Sequence, residues 1–180
     1  MRIITGRLRG RNIFIPRNLA VRPTTNKAKE GLFNILNNSF DFKDLKVIDL
    51  FSGTGSIGYE FISRGSNVIF IDQNLKCFKH ISQTLKLLKV SSIVLKKNVY
   101  SYVKDYNKNF HIVFADPPYK TRYDDYLNLI NLTTKNLLKD KNSLLIIEHF
   151  KHLHFNDIVE FKESRSYGDS TFSFFIEKSG

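Results

Sequence analysis

The chain has 180 residues, 42% of them hydrophobic and 25% charged, and 28 Lys and Arg against 17 Asp and Glu give a net charge of +11. This composition suits one globular domain with a small appendage and excludes intrinsic disorder, collagen and coiled coil. The single cysteine, Cys77, excludes a disulfide-stapled secreted scaffold, and apolar runs as short as Val68–Ile71 and Leu144–Ile147 exclude a membrane span, so a cytoplasmic protein is expected.

Residues 1–29 carry eight basic side chains and no acidic one. Six of them are arginines: Arg2, Arg7, Arg9, Arg11, Arg17 and Arg22. Guanidinium groups fork onto phosphates and stack on bases, so this end predicts a nucleic-acid partner. A solvated basic face and an organelle transit peptide are the competing readings. Partial apolar alternation from Arg2 to Ile15, punctuated by Gly6 and Gly10, favours a folded hairpin, and Pro16 and Pro23 would break a targeting helix.

Thr25 or Asn26 can cap a following helix whose apolar stripe is Ala28, Leu32, Phe33, Ile35 and Leu36. Strands are then predicted at Val47–Phe51, Asn67–Asp72, Ser92–Lys96, His111–Ala115 and Ser143–Glu148. Helices near Ser56–Arg64, Leu75–Leu88, Tyr100–Tyr106 and Tyr123–Leu138 alternate with them. Strands of Val, Ile and Phe without polar alternation predict burial on both faces, hence a doubly wound parallel α/β sheet. Two last runs, Ile158–Tyr167 and Ser170–Glu177, flank Gly168-Asp169 and predict a C-terminal antiparallel hairpin. The expected division is a basic extension over 1–42 and the α/β domain over 43–180.

Two constellations carry chemistry. Asp49-Leu50-Phe51-Ser52-Gly53-Thr54-Gly55-Ser56-Ile57-Gly58 joins the first strand to its helix in a Gly-x-Gly-x-x-Gly pattern, and Asp72 ends the next strand. An acid there can accept from both hydroxyls of a ribose. Asp49 would oppose a pyrophosphate but favour a cation, which suits S-adenosylmethionine better than NAD. Alternatively, Asp49 could cap amides of its own loop and Asp72 the helix from Asn74. Asp116-Pro117-Pro118-Tyr119 follows the fourth predicted strand. Its prolines remove two donors and leave nearby carbonyls to accept, Asp116 adds a carboxylate, and Tyr119 offers a stacking face. Acceptors beside a ring match an exocyclic amine on a planar base; a rigid loop is the plain alternative.

Asp116-Pro117-Pro118-Tyr119 resembles the Asp/Asn-Pro-Pro-aromatic signature of methyltransferases acting on amino groups of bases, and Asp49–Gly58 resembles their cofactor loop. Met1-Arg2-Ile3-Ile4-Thr5-Gly6-Arg7-Leu8-Arg9-Gly10-Arg11, Arg22-Pro23-Thr24-Thr25, Glu30-Gly31-Leu32-Phe33-Asn34 and Tyr167-Gly168-Asp169 resemble the RsmD family of bacterial 16S rRNA guanine-N2 methyltransferases. The resemblance implies a class I S-adenosylmethionine-dependent methyltransferase fold with an RNA-facing N-terminal hairpin and helix. It implies that Asp49, Gly53 and Gly55 hold the methionine part of the cofactor and Asp72 the ribose. Gln73 would lie against the adenine and Asn98 at its edge, where many relatives carry Asp, with Phe51 and Val99 completing the cofactor site. Asp116, Pro117 and Tyr119 would be catalytic, and Arg7, Arg9, Arg11 and Arg22 would bind RNA. The implied partner is 16S rRNA within a small-subunit particle, met by a monomer.

Rival readings are an adenine-N6 methyltransferase, a non-catalytic ribosome-assembly factor that kept the fold, and, less favoured, an NAD-linked oxidoreductase. His149, His152 and His154, with Glu148, could suggest a metal, but the chemistry requires none and solvated histidines are expected. Cys77 is expected to be a packed hydrophobe, Arg64 to contact RNA or brace a loop, and Ser52, where relatives often have Ala, to be a harmless change.

Overall fold

The structure, a computed structural model, describes residues 1–17, 19, 24–107 and 109–177. Seven strands form one sheet: β1 (Lys46–Leu50), β2 (Asn67–Ile71), β3 (Ile93–Leu95), β4 (Ile112–Ala115), β5 (Leu144–Phe150), β6 (Phe161–Tyr167) and β7 (Ser170–Phe175). Their spatial order is β3-β2-β1-β4-β5-β7-β6. The first five pair in parallel, whereas β7 pairs antiparallel with both β5 and β6. Helices α1 (Asn26–Asn37), α2 (Ser56–Ser63), α3 (Leu75–Leu88), α4 (Val99–Asp105) and α5 (Tyr123–Asn136) complete the fold. The strand order reverses between β1 and β4, and the crevice of such a sheet lies beyond the carboxyl ends of those strands.

Burial on both faces follows from the apolar runs. Val47, Ile112, Phe114, Leu144 and Ile146 enter one core cluster with Phe33, Ile57 and Phe61. Their strand neighbours Ile48, Leu50, Val113, Ala115, Leu145 and Ile147 enter the other with Val103, Leu129 and Ile130. Period-two geometry thus divides each run between two apolar layers. Gly31 in α1 lets β6 approach, since a Cβ there would lie 2.1 Å from the Tyr167 ring. The family-like blocks around residues 31 and 167 therefore meet in space.

The N-terminal segment folds back on itself as the expected hairpin, with Ile3 N–H donating to Arg11 O at 3.0 Å, Gly10 N–H to Ile3 O at 2.9 Å and Ile13 N–H to Met1 O at 2.7 Å. The pairing is short and antiparallel, centred on the bridge between Arg2 and Asn12. Turns take up the rest, with Arg9 N–H donating to Gly6 O and Arg11 N–H to Leu8 O. The amides of Ile4, Arg7 and Leu8 donate instead to Glu60 Oε1, Ser63 O and Ser63 Oγ on α2. Ile3, Leu8 and Ile13 are buried in the first core cluster. β6 begins at Phe161 rather than at the predicted Ile158, because the amides of Ile158 and Phe161 are used in turns, donating to Phe155 O and Ile158 O.

One charge cluster is buried. Lys29 is 1% exposed and Glu60 0%, with Lys29 Nζ 3.1 Å from Glu60 Oε1 and 3.0 Å from Arg2 O. Arg64 Nη1 reaches Glu60 Oε2 at 2.6 Å, and its guanidinium lies 3.9 Å from the Phe33 ring centroid. Lys29 therefore presents no charge to a polyanion, and Arg64 is a brace. Among the described residues, Arg2, Arg7, Arg9, Arg11, Arg17 and Lys27 remain exposed; Arg22 lies outside them.

Candidate active site

The glycine loop is built by the end of β1 and the start of α2. Gly55 takes a left-handed conformation at the N-cap and has no side chain to cap the helix. The orphan amide of Gly58 is met from the strand, donating to Asp49 Oδ2 at 3.0 Å. A Cβ at Gly58 would lie 2.1 Å from the Phe70 ring and 3.0 Å from that carboxylate, so only glycine lets helix and strand come this close. Phe51 also has positive φ, at 58°. Ser52 is not inert: its hydroxyl bonds to Asp49 O at 2.6 Å and accepts from Ile71 N–H at 2.9 Å, stitching the loop to β2.

Asp72 fastens the same loop from β2. Its Oδ2 accepts from Gly53 N–H at 2.8 Å and its Oδ1 from Asn74 N–H at 2.7 Å. Each carboxylate oxygen keeps a second lone pair. Asn98 Oδ1 caps α4 by accepting from Ser101 N–H, while Nδ2 donates to Gln73 Oε1 at 3.2 Å. The oxygen that could meet an adenine amine thus also caps a helix, with its second lone pair left over.

A cavity of about 630 Å³ at the carboxyl edge brings the two constellations together. Asp49, Phe51, Gly53, Asp72, Gln73, Asn98, Val99, Asp116, Pro117 and Tyr119 all line it; Gly55 does not. Its size falls in the range of small-molecule sites. The prolines continue from β4, whose four residues are buried, and Pro118 O accepts from Thr121 N–H at 2.8 Å, so that carbonyl is engaged in a turn. Among the described residues, no hydrogen bond is made to the Pro117 carbonyl. Tyr119 is 56% exposed, with its ring centroid 4.6 Å from that of Phe150.

Further wall residues escaped the sequence reading. Thr24 lines the cavity while its hydroxyl donates to Glu148 Oε2 at 2.7 Å, a tie across 124 positions that no local pattern signals. Tyr100 packs edge-on against Phe51 at 6.0 Å. Cys77 is buried as expected and also lines the cavity, where burial, then the charge of Asp72, push its thiol up to about 12. The three histidines do not converge: His149 is buried and bonded to Phe150 O and Ser173 Oγ, while His152 and His154 are exposed. Among the described residues, no group of three or more His, Cys, Asp or Glu is arranged for a metal, and no helix is long and apolar enough to cross a membrane.

The electrostatics fit a cationic nucleoside. Asp49 is 2% exposed, and burial raises its pKa well above the usual carboxylate value; the Gly58 amide opposes this and the charge of Asp72 adds to it. An ammonium beside it would offset that desolvation. The glycine loop offers no lysine or arginine for a pyrophosphate. Asp72 could accept from ribose hydroxyls, and Gly53 leaves room for close approach to the backbone. These residues fit S-adenosylmethionine.

The raised pKa sets a pH dependence. The stability cost of ionising Asp49 is absent below about pH 4, where an unfolded Asp is also protonated, and grows as pH rises towards the folded pKa. The cofactor-free protein should therefore lose melting temperature over that interval, and Asp49→Asn should flatten the loss. Cofactor binding should strengthen over the same interval and release a proton, read by calorimetry in two buffers of different ionisation enthalpy. Proton release that is unchanged in Asp49→Asn would contradict the assignment.

The family model described as Conserved hypothetical protein 95 matches residues 1–176. Ribosomal RNA small subunit methyltransferase D of Buchnera aphidicola subsp. Baizongia pistaciae is 33% identical over 150 residues, 82% of this chain and 75% of its own. Its counterpart from Haemophilus influenzae is 30% identical over 154 residues, 82% of this chain and 78% of its own. The solved structure of the Escherichia coli protein yhhF superposes with a TM-score of 0.82 at 26% identity, over 97% of this chain and 96% of its own. The Thermus thermophilus 16S rRNA N2 G1207 methyltransferase RsmC, solved with AdoMet and guanosine, shares the fold with a TM-score of 0.71 at 15% identity, over 86% of this chain and 44% of its own.

Fold and site together define a class I S-adenosylmethionine-dependent methyltransferase. Strand order, the cation-favouring glycine loop and the Asp-Pro-Pro-Tyr edge all agree on that class. Within it, the chain belongs to the ribosomal RNA small subunit methyltransferase D (RsmD) family.

Proposed function

We propose that this protein transfers a methyl group from S-adenosylmethionine to the N2 amine of a guanine in 16S rRNA. The observation that carries the reading is one cavity lined by Asp49 and Asp72 and also by Asp116, Pro117 and Tyr119. The relatives named for small-subunit rRNA methylation support the substrate class.

The cofactor supplies an electrophilic methyl on a sulfonium sulfur. The Asp49 carboxylate takes its ammonium, with Phe51, Gly53 and Gly55 shaping the loop, and the second lone pairs of Asp72 take the ribose hydroxyls. Gln73, Asn98 and Val99 bound the adenine. The Tyr119 ring stacks on the target guanine, while the Asp116 carboxylate and Pro117 carbonyl accept from its two N2 hydrogens. Those bonds orient the nitrogen lone pair and raise its electron density, so positioning and fixed dipoles supply most of the rate. The methylated amine then sheds a proton along the same hydrogen bond, to Asp116 or water. N2 faces the minor groove, so the base must leave a helix or already stand in a loop.

Residues 1–42 act here as an RNA-facing extension, and Arg7, Arg9 and Arg11, with Arg22, grip phosphates. Changing Arg7, Arg9 and Arg11 together to Ala should weaken RNA binding and lower its salt slope by roughly one per lost phosphate contact. An unchanged slope would remove these residues from the interface. The setting is a cytoplasmic monomer acting on a small-subunit particle.

The deciding experiment incubates the protein with labelled S-adenosylmethionine and unmodified small-subunit particles, followed by nucleoside mass spectrometry. N2-methylguanosine is expected. Label in N6-methyladenosine would keep the chemistry and overturn the target, and no label despite measured cofactor binding would overturn the substrate.

A further inference from the structure

We propose that Phe150 and His152 extend the Tyr119 ring into a stacking platform for the unpaired RNA nucleotide beside the target base. This inference rests on the methyltransferase reading above. Three rings run outward from the cavity lip: Tyr119 to Phe150 at 4.6 Å and 31°, then Phe150 to His152 at 5.4 Å and 19°. The inner ring lines the cavity and is 56% exposed; the outer ring is exposed as well. A tilted inner pair and a stacked outer pair thus set a run of aromatic rings beside the cavity, the kind of surface on which unpaired bases stack.

The surroundings suit a polyanion. Lys120 and Lys151, each next in sequence to a platform ring, are exposed. Neither Tyr119–Arg122 nor Phe150–Asn156 contains an acid. Aromatic faces interleaved with cations are how proteins hold single strands without reading sequence.

The platform is also held in place. Leu153 N–H donates to Phe150 O at 3.1 Å, closing a turn around His152. Phe155, at the far end of the loop, is 1% exposed, stacks with Tyr123 at 5.6 Å and 6°, and meets the edge of the His149 ring at 4.9 Å. Tyr123 Oη donates to His154 O at 3.1 Å. Rings fixed before binding lose little freedom when a base arrives.

The test titrates the full chain and its His152→Ala, His152→Phe and Lys151→Ala variants into a fluorescein-labelled single-stranded oligoadenylate decamer, read by anisotropy across a salt series. His152→Ala should weaken binding about tenfold without changing the salt slope, and His152→Phe should restore it to within about twofold. Lys151→Ala should instead make the slope shallower. Equal affinities for His152→Ala and His152→Phe, whether both low or both high, would overturn the platform. So would loss of cofactor binding in His152→Ala by calorimetry, since that would make the ring part of the cofactor site. If the parent methylates no particle while the ring dependence persists, the proposed function fails and the platform stands. If particles are methylated and neither the particle KM nor decamer affinity responds to His152→Ala, the platform fails and the function stands.

Discussion

Replacing Asp116 by Ala should lower kcat for methyl transfer by about a hundred- to a thousandfold while the cofactor Kd stays within about twofold. Asp116 opens into the cavity directly after β4, whereas Asp49 and Asp72 meet the cavity from β1 and β2. On the function proposed above, its carboxylate acts on the amine and not on the cofactor. A fixed acceptor oriented at the reacting nitrogen is worth several kcal/mol only in the transition state, when the lone pair has committed to the methyl. Asp116→Asn should retain part of the rate, because an amide oxygen still accepts from one amine hydrogen. A rate loss below tenfold in the alanine variant, or an equal loss in cofactor affinity, would remove Asp116 from the chemistry.

The second large effect is on stability. Glu60→Gln should cost about 3–5 kcal/mol, because it leaves the Lys29 ammonium buried beside a neutral group. At about 2–4 °C per kcal/mol for a chain of this length, the melting temperature should fall by roughly 6–20 °C. Glu60 also accepts from Ile4 N–H and Arg64, so one substitution loosens α1, α2 and the N-terminal arm together. Adding Lys29→Met should recover part of the loss, since no unpaired ammonium then remains inside. A melting shift under about 2 °C for Glu60→Gln would show that the cluster is solvated in solution.

The same cluster marks where sequence reading stopped. Lys29 was counted with the exposed basic end because a charge count has no information on burial, and its partner lies 31 positions away. Strands and helices were legible because their signals are local: α3 was read at its observed bounds, and the other regular elements from α2 onward within about three residues. The N-terminal hairpin was legible too, but its docking was not, because the amides of Ile4 and Leu8 find acceptors on α2, which no alternation pattern encodes.

For the site, the residues before Gly58 and around Asp116 announced themselves, since tight turns and paired prolines need particular residue types at fixed spacing. Sequence by itself therefore determined the doubly wound sheet, the cation-favouring glycine loop and the acceptor edge at Asp116. Only the tertiary structure decided that Thr24 belongs to the cavity wall, that Asn98 reaches Gln73, and that Tyr119, Phe150 and His152 stand in one row. The Thr24 contact and the aromatic row depend on parallel pairing of β4 with β5 or on a contact between distant segments, and a one-dimensional pattern holds no record of which strand lies beside which.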